Sequence, residues 1–279
     1  MYSEKQLNAE DYKEPVCPFD DDFYSNAEPM ETIPVRRVIE KLDELLYEKN
    51  DIPGARRHLE FWERSAEAGR DLRGLLTVEN ELMGFYRQNA SKEDAYRAMA
   101  RGLELAINLG MDDTVGGATT YLNAATVCKT FGEAERAVMY YERAKAVYER
   151  DFDARDERLA GLYNNYALAL CDVNRFDEAE GAYFSALDIV LSGDRVIDAA
   201  ITYLNLADLY FKKLGEVDSA ELIEENLDKA EKIFDNENVV RDGYFAYVCE
   251  KCAPTYEYYG WFVTAKKLND LADKIYDRT

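Results

Sequence analysis

A single histidine, six prolines and no run of eighteen apolar residues are what this 279-residue chain offers where many proteins are richer. The histidine, His58, sits beside Arg56, Arg57 and Glu60, with no nucleophile at a recognisable spacing, so a surface residue is expected rather than a general base. Five of the prolines fall at or before Pro53 and the sixth is Pro254, which leaves a long interval open to uninterrupted helix. Without a long apolar run no membrane span is expected. The start, Met1-Tyr2-Ser3-Glu4-Lys5, lacks the basic-then-apolar order of a secretion signal, so the cytoplasm is the expected location. Lys and Arg number 34 against 56 Asp and Glu, a net −22. No basic stripe is available to neutralise phosphates, which argues against nucleic acid and anionic membranes as partners. Cys17, Cys128, Cys171, Cys249 and Cys252 are odd in number and widely spread, the usage of free thiols in a reducing compartment. Gly116-Gly117 has no following Lys-Ser/Thr and is no phosphate loop.

What the chain does have is a period. Ala55, Ala95, Ala137, Ala179, Ala220 and Ala265 recur at spacings of 40, 42, 42, 41 and 45. Five residues before each stands a small or turn-prone residue: Asn50, Ala90, Gly132, Asn174, Gly215 and Gly260. Leu59, Met99, Tyr141 and Tyr183 follow four of the alanines at the fourth residue. Self-similarity at a fixed period marks a solenoid of helical hairpins, each burying its apolar face against its neighbours.

Residues 1–33 stand apart, with nine acids against Lys5 and Lys13, and with Pro15, Pro18 and Pro29. They read as an irregular acidic arm carrying Phe19, Phe23 and Tyr24 as anchors, followed by a repeat domain over 34–279. There the apolar spacing predicts hairpins: Pro34 onward with Pro53–Ala68, then Asp71–Gln88 with Lys92–Leu109, Thr114–Phe131 with Glu133–Arg150, and Ala154–Val173 with Asp177–Leu191. Arg195–Leu214 with Asp218–Phe234 and Val239–Tyr259 with Trp261–Tyr276 complete the set. Pro254 is expected to kink or split the eleventh helix.

Three units carry a recognisable motif. Tyr121, Ala124-Ala125 and Cys128 lead to Ala137, Tyr141 and Ala144. Tyr163, Tyr166-Ala167 and Leu170 lead to Ala179, Tyr183 and Ala186. Tyr203, Leu206-Ala207 and Tyr210 lead to Ala220. This resembles the tetratricopeptide (TPR) repeat, and the 42-residue period with Tyr163-Asn164-Asn165-Tyr166-Ala167 is similar to the long-helix repeats of kinesin light chains. The inter-repeat His-Pro of those proteins is missing and no heptad coiled coil precedes the repeats, so a motor–cargo adaptor is not implied. The resemblance implies an all-α, right-handed α-solenoid of about six hairpins with a concave groove, and a role in binding protein or peptide rather than in catalysis.

In that family the position two residues after the opening aromatic looks into the groove. Here it is Asn123, Asn165 and Asn205. An amide both donates and accepts, so a row of them can bond the backbone of an extended peptide, and Asn is a poor helix former that local stability does not favour. The alternative reading is that these amides bridge neighbouring helices. Asn164 joins the candidate set, with Lys129, Leu168, Leu204, Asp208, Lys212 and Lys251 on the same face. The expected partner is thus a protein or peptide, with the acidic arm itself as a candidate occupant, and the alternative is a receptor that switches partner on binding a signalling peptide. No catalytic, cofactor or metal residues are expected: Cys249-x-x-Cys252 has no nearby second pair or His and falls at core positions.

Overall fold

The computed structural model describes residues 29–193 and 195–277, so Cys17 and the anchors Phe19, Phe23 and Tyr24 lie outside the described residues. Twelve α-helices and no strand occur among them: α1 Val35–Asp43, extended by a π turn Glu44–Glu48, α2 Ile52–Ala68, α3 Leu72–Gln88, α4 Lys92–Asn108, α5 Val115–Thr130, α6 Ala134–Asp151, α7 Glu157–Asp172, α8 Phe176–Ser192, α9 Ile197–Leu214, α10 Glu216–Asp235, α11 Gly243–Tyr258 and α12 Phe262–Tyr276. They pair as six hairpins, and they fall into two compact units that divide after Asp112.

The turns explain the period. Asn50, Ala90, Gly132, Asn174, Gly215 and Gly260 all have positive φ, between 48° and 86°. One left-handed residue reverses the chain between the two helices of every hairpin. After it the second helix buries a small residue: Ala55, Ala95, Ala137, Ala179 and Ala265 are each 0% exposed. Those small residues let paired helices approach closely, and Leu59, Met99, Tyr141 and Tyr183, one turn on, are buried too.

The fifth hairpin departs from the alanine register. Ala220 is exposed and Ser219 is buried in its place, with its Oγ donating to the Gly215 carbonyl at 2.6 Å. The cause is the turn. Elsewhere one N-cap residue separates the left-handed residue from the second helix, whereas Gly215 fills both roles and α9 runs two residues further in the repeat register. The span from Tyr203 to Ser219 is sixteen residues, the same as from Tyr121 to Ala137. Packing length is held and the turn absorbs the change.

Two further expectations meet the structure. Of the kink or split expected at Pro254, the split does not occur: α11 is continuous through it. Pro254 is exposed, as is Glu250 one turn earlier, so the carbonyl deprived of its donor faces water. His58 is half-buried rather than on the surface; its Nε2 lies 2.9 Å from the Val38 carbonyl, so Nε2 carries the proton and pins α2 to α1.

In the first unit, α1–α4, the residues just before α1 are packed. Met30 and Glu31 donate their amides to the Gly69 carbonyl at 2.9 and 3.1 Å, and Ile33, 9% exposed, donates to Asp71 Oδ2 at 2.9 Å. A Cβ on Gly69 would collide with the Glu31 carbonyl oxygen, so only glycine admits this segment. Deeper in the unit Glu79 of α3 is 1% exposed and faces Arg101 of α4, whose Nε is 3.2 Å away; Arg101 also reaches Glu63 and Glu67 of α2. Burial first, and then the Glu63 charge, push the Glu79 carboxyl up to about 8 against the pull of Arg101.

Candidate functional site: the first-helix face of the second unit

In the second unit, α5–α12, the first helices of successive hairpins touch one another: α5 meets α7, α7 meets α9 and α9 meets α11. They form one layer and the second helices form the other. The inner sides of the first layer are apolar and small, with Ala124, Ala125, Ala167 and Ala207 all 0% exposed. What remains accessible is the stripe that carries the asparagines.

Asn123, Asn165 and Asn205 each lie fourteen residues before the buried small residue of their hairpin, Ala137, Ala179 and Ser219. All three are half-buried, reached by solvent rather than sealed between helices. Asn165 donates to the Gly161 carbonyl of its own helix at 3.0 Å, which leaves its carbonyl oxygen outward, and Asn205 makes no hydrogen bond among the described residues. Thr126 donates to the Asn123 backbone carbonyl at 2.8 Å. Asn164 behaves differently. Its amide bridges α7 to α9, donating to Thr202 Oγ1 at 2.9 Å while Thr202 lies 3.0 Å from its Oδ1, and Thr202 is fully buried. The bridging role therefore belongs to Asn164 and the outward position to its neighbour Asn165.

The other candidates divide in the same way. Leu204 is 3% exposed and belongs to the core, because it lies one residue from the outward stripe and turns inward. Leu168 and Lys129 are half-buried on the stripe, and Lys212 and Lys251 are exposed. Lys212 reaches Asp172 at the end of α7 at 3.5 Å, and Lys251 stands 5.9 Å from the ring centre of Tyr247. Asp208 is half-buried and accepts from the Tyr259 hydroxyl at 2.8 Å; burial raises its carboxyl above the ordinary value, while Tyr259 and Lys212 pull the other way. The structure thus brings Asp208, Lys212, Asp172 and Tyr259 together at one end of the stripe. Asp172 and Tyr259 were not singled out from the sequence, since Tyr259 lies in a turn outside the first-helix register.

The stripe can bond and pair, and it holds no activated nucleophile. Cys249 and Cys252 are buried, and burial pushes both thiols up to about 12, so they are protonated packing residues at neutral pH. No cluster of three or more His, Cys, Asp or Glu side chains placed to hold a metal ion occurs among the described residues, and none of their helices is long and apolar enough to cross a membrane.

No family model matches the chain, and no curated protein does. Solved structures do. The chain is similar to BtubC (BKLC) from P. vanneervenii at 22% identity and a TM-score of 0.54, over 82% of this chain and 91% of that one. It is also similar to a putative kinesin light chain from Podosopora anserina with nearly identical TPR-like repeats, at 15% identity and a TM-score of 0.53, over 73% and 95%; a single-substitution variant of that protein gives 0.54. Fold and likeness agree with the helix register found above: this chain has a TPR-like repeat fold, an all-α solenoid of helical hairpins.

Proposed function

We propose that this protein is a non-catalytic scaffold that holds an extended peptide or partner segment along the first-helix face of its second unit. The observation that carries the reading is the row Asn123, Asn165 and Asn205, in register on touching first helices and open to solvent. Amides in such a row serve backbone N–H and C=O groups alike and leave side-chain preference to their neighbours. Leu168 supplies an apolar contact, Lys129 and Lys212 supply positive charge, and Asp208 with Tyr259 closes one end. Asparagine in the interior of a helix costs roughly 0.5 kcal/mol relative to alanine, which fits residues kept for a ligand.

The test is affinity capture from a native lysate with the wild-type chain and with Asn123→Ala/Asn165→Ala/Asn205→Ala. A partner retained by the wild type should be lost or weakened at least tenfold by the triple variant while its unfolding midpoint stays the same or rises. Equal capture by both would place partner binding on another surface.

A further inference from the structure

Along the turn edge of the second unit, neighbouring hairpins are tied by an acid on one second helix and a base in the next hairpin. Glu142 of α6 accepts from Arg175 at 3.1 Å and from the Tyr166 hydroxyl at 3.2 Å. Glu180 of α8 accepts from Lys213 at 3.1 Å and from the Tyr210 hydroxyl at 2.6 Å. At the next junction, between the fifth and sixth hairpins, the tie lies away from the turn: Glu231 of α10, sixteen residues past Gly215, accepts from Thr264 at 2.9 Å and faces Lys267 of α12 at 3.8 Å. Glu224 of α10 stands in the register of Glu142, 82 residues on, as Ser219 follows Ala137. The counterparts of Arg175 and Tyr166, 86 residues on as Ala265 follows Ala179, are Trp261 and Cys252. The acid is kept while its base and its hydroxyl are gone. Neither Glu224 nor Glu216 makes an ion pair or a hydrogen bond among the described residues.

A cleft of about 640 Å³ opens at this junction. Its walls are Phe211, Tyr258, Tyr259 and Trp261, with Glu216 and Glu224 on the α10 side and no Lys or Arg among the lining residues. Phe211 meets Tyr258 and Tyr259 edge-on, with ring centres 5.9 and 6.1 Å apart. The short Gly215 turn contributes directly: by shifting Ser219 into the core it turns the small Ala220 towards the cleft, where Glu180 occupies the matching place on α8.

We propose that this cleft is a receptor for an arginine side chain of a protein partner, which supplies in trans a base for Glu216 and Glu224 beside the turn. Aromatic faces attract a cation, and a planar guanidinium stacks on rings while forking onto carboxylates, which an ammonium does not. The acidic arm, with a net charge of −7, has the wrong sign to fill the cleft. Tyr259 borders both the amide row and the cleft, but the three asparagines belong to the row alone and Glu216 and Glu224 to the cleft alone, so changes at those residues test the two sites separately.

Trp62 and Trp261 are the two tryptophans of the chain, so Trp62→Phe leaves Trp261 as the sole reporter. Its emission should be followed while adding capped Gly-Gly-Arg-Gly-Gly, the matched citrulline peptide and the matched lysine peptide. A saturable change with the arginine peptide is expected, about tenfold weaker with citrulline and about threefold weaker with lysine. Glu216→Gln/Glu224→Gln should weaken the arginine response at least tenfold with unchanged circular dichroism, and the triple asparagine variant should leave it intact. Equal binding of citrulline or lysine, indifference to the glutamate changes, or no saturation by about 10 mM would each overturn the assignment.

Discussion

The same geometric relation is filled with opposite chemistry in the two units. Arg101 lies twenty-two residues after Glu79, and Arg143 lies twenty-two residues after Tyr121. In the first unit the arginine meets a buried carboxylate, with Glu63 and Glu67 beside it. In the second it donates to a tyrosine hydroxyl at 3.1 Å and lies 5.2 Å from the ring centre. The stripe fourteen residues before each buried small residue divides likewise: Lys41 and Glu81 in the first unit; Asn123, Asn165, Asn205 and Lys251 in the second. A repeat fold tolerates either filling because helix crossing depends on the small residues. Under the function proposed above, the filling decides what each unit responds to: protons in the first, hydrogen-bonding chains in the second.

The largest break in this comparison is Arg101→Ala, which leaves Glu79 buried without a compensating charge. It should cost the first unit about 3 kcal/mol at pH 8.5, read from Trp62 fluorescence in urea with Trp261→Phe as background, and clearly less at pH 5.5, where Glu79 is protonated. Arg143→Ala, which strands no charge, should cost about 1 kcal/mol at either pH. Equal losses in both units would erase the distinction.

Removing the segment before α1 sharpens the boundary of the first unit. A chain that starts at Pro29 should match the full chain in the urea midpoint of Trp62, whereas one that starts at Pro34 loses Ile33 and its bond to Asp71 and should be weaker by about 2 kcal/mol. If the arm occupies the amide row, the chain starting at Pro29 should bind added peptide more tightly; unchanged affinity rejects that occupancy.

Glu79→Gln isolates the titration. The native carboxyl is raised to about 8 while the unfolded one lies near 4.5. The unfolded state therefore releases its proton first, and wild-type stability should fall as pH rises from about 5 to about 8. The glutamine variant should flatten that slope and gain about 1–2 kcal/mol at pH 8.5. A slope that persists in the variant would assign it to another group.

The smallest effect separates neighbours in the second unit. Asn164→Ala removes a bond to a buried hydroxyl and should cost about 1 kcal/mol, whereas Asn205→Ala should be neutral or stabilising by up to roughly 0.5 kcal/mol. Thermal unfolding of the two variants side by side decides it.

Much of the fold is legible in the sequence because turn and core each demand a residue type at a fixed spacing. The left-handed residues are found from the period even at Ala90, where the type gives no hint. The left-handed Arg70 between α2 and α3 is not found, since a long basic side chain carries no turn signal. Ala220 misleads because alanine stands beside the true core position; counting sixteen residues from Tyr203, instead of five from Gly215, leads to Ser219. At the candidate site the outward stripe follows from the register, but Leu204 and Asn164 show how one residue of helix rotation exchanges groove for interior. The Tyr259–Asp208 bond joins residues 51 apart in the chain, a distance over which spacing is silent.

The Asn164–Thr202 contact has a mechanical consequence. A bond between two rods, set one residue away from the outward amides, works as an indexing pin that fixes the phase of α7 against α9. Without it every amide would still be present, yet consecutive ones could slip out of step. A ligand long enough to span both rods would register that slip, and one short enough to sit on a single rod would not.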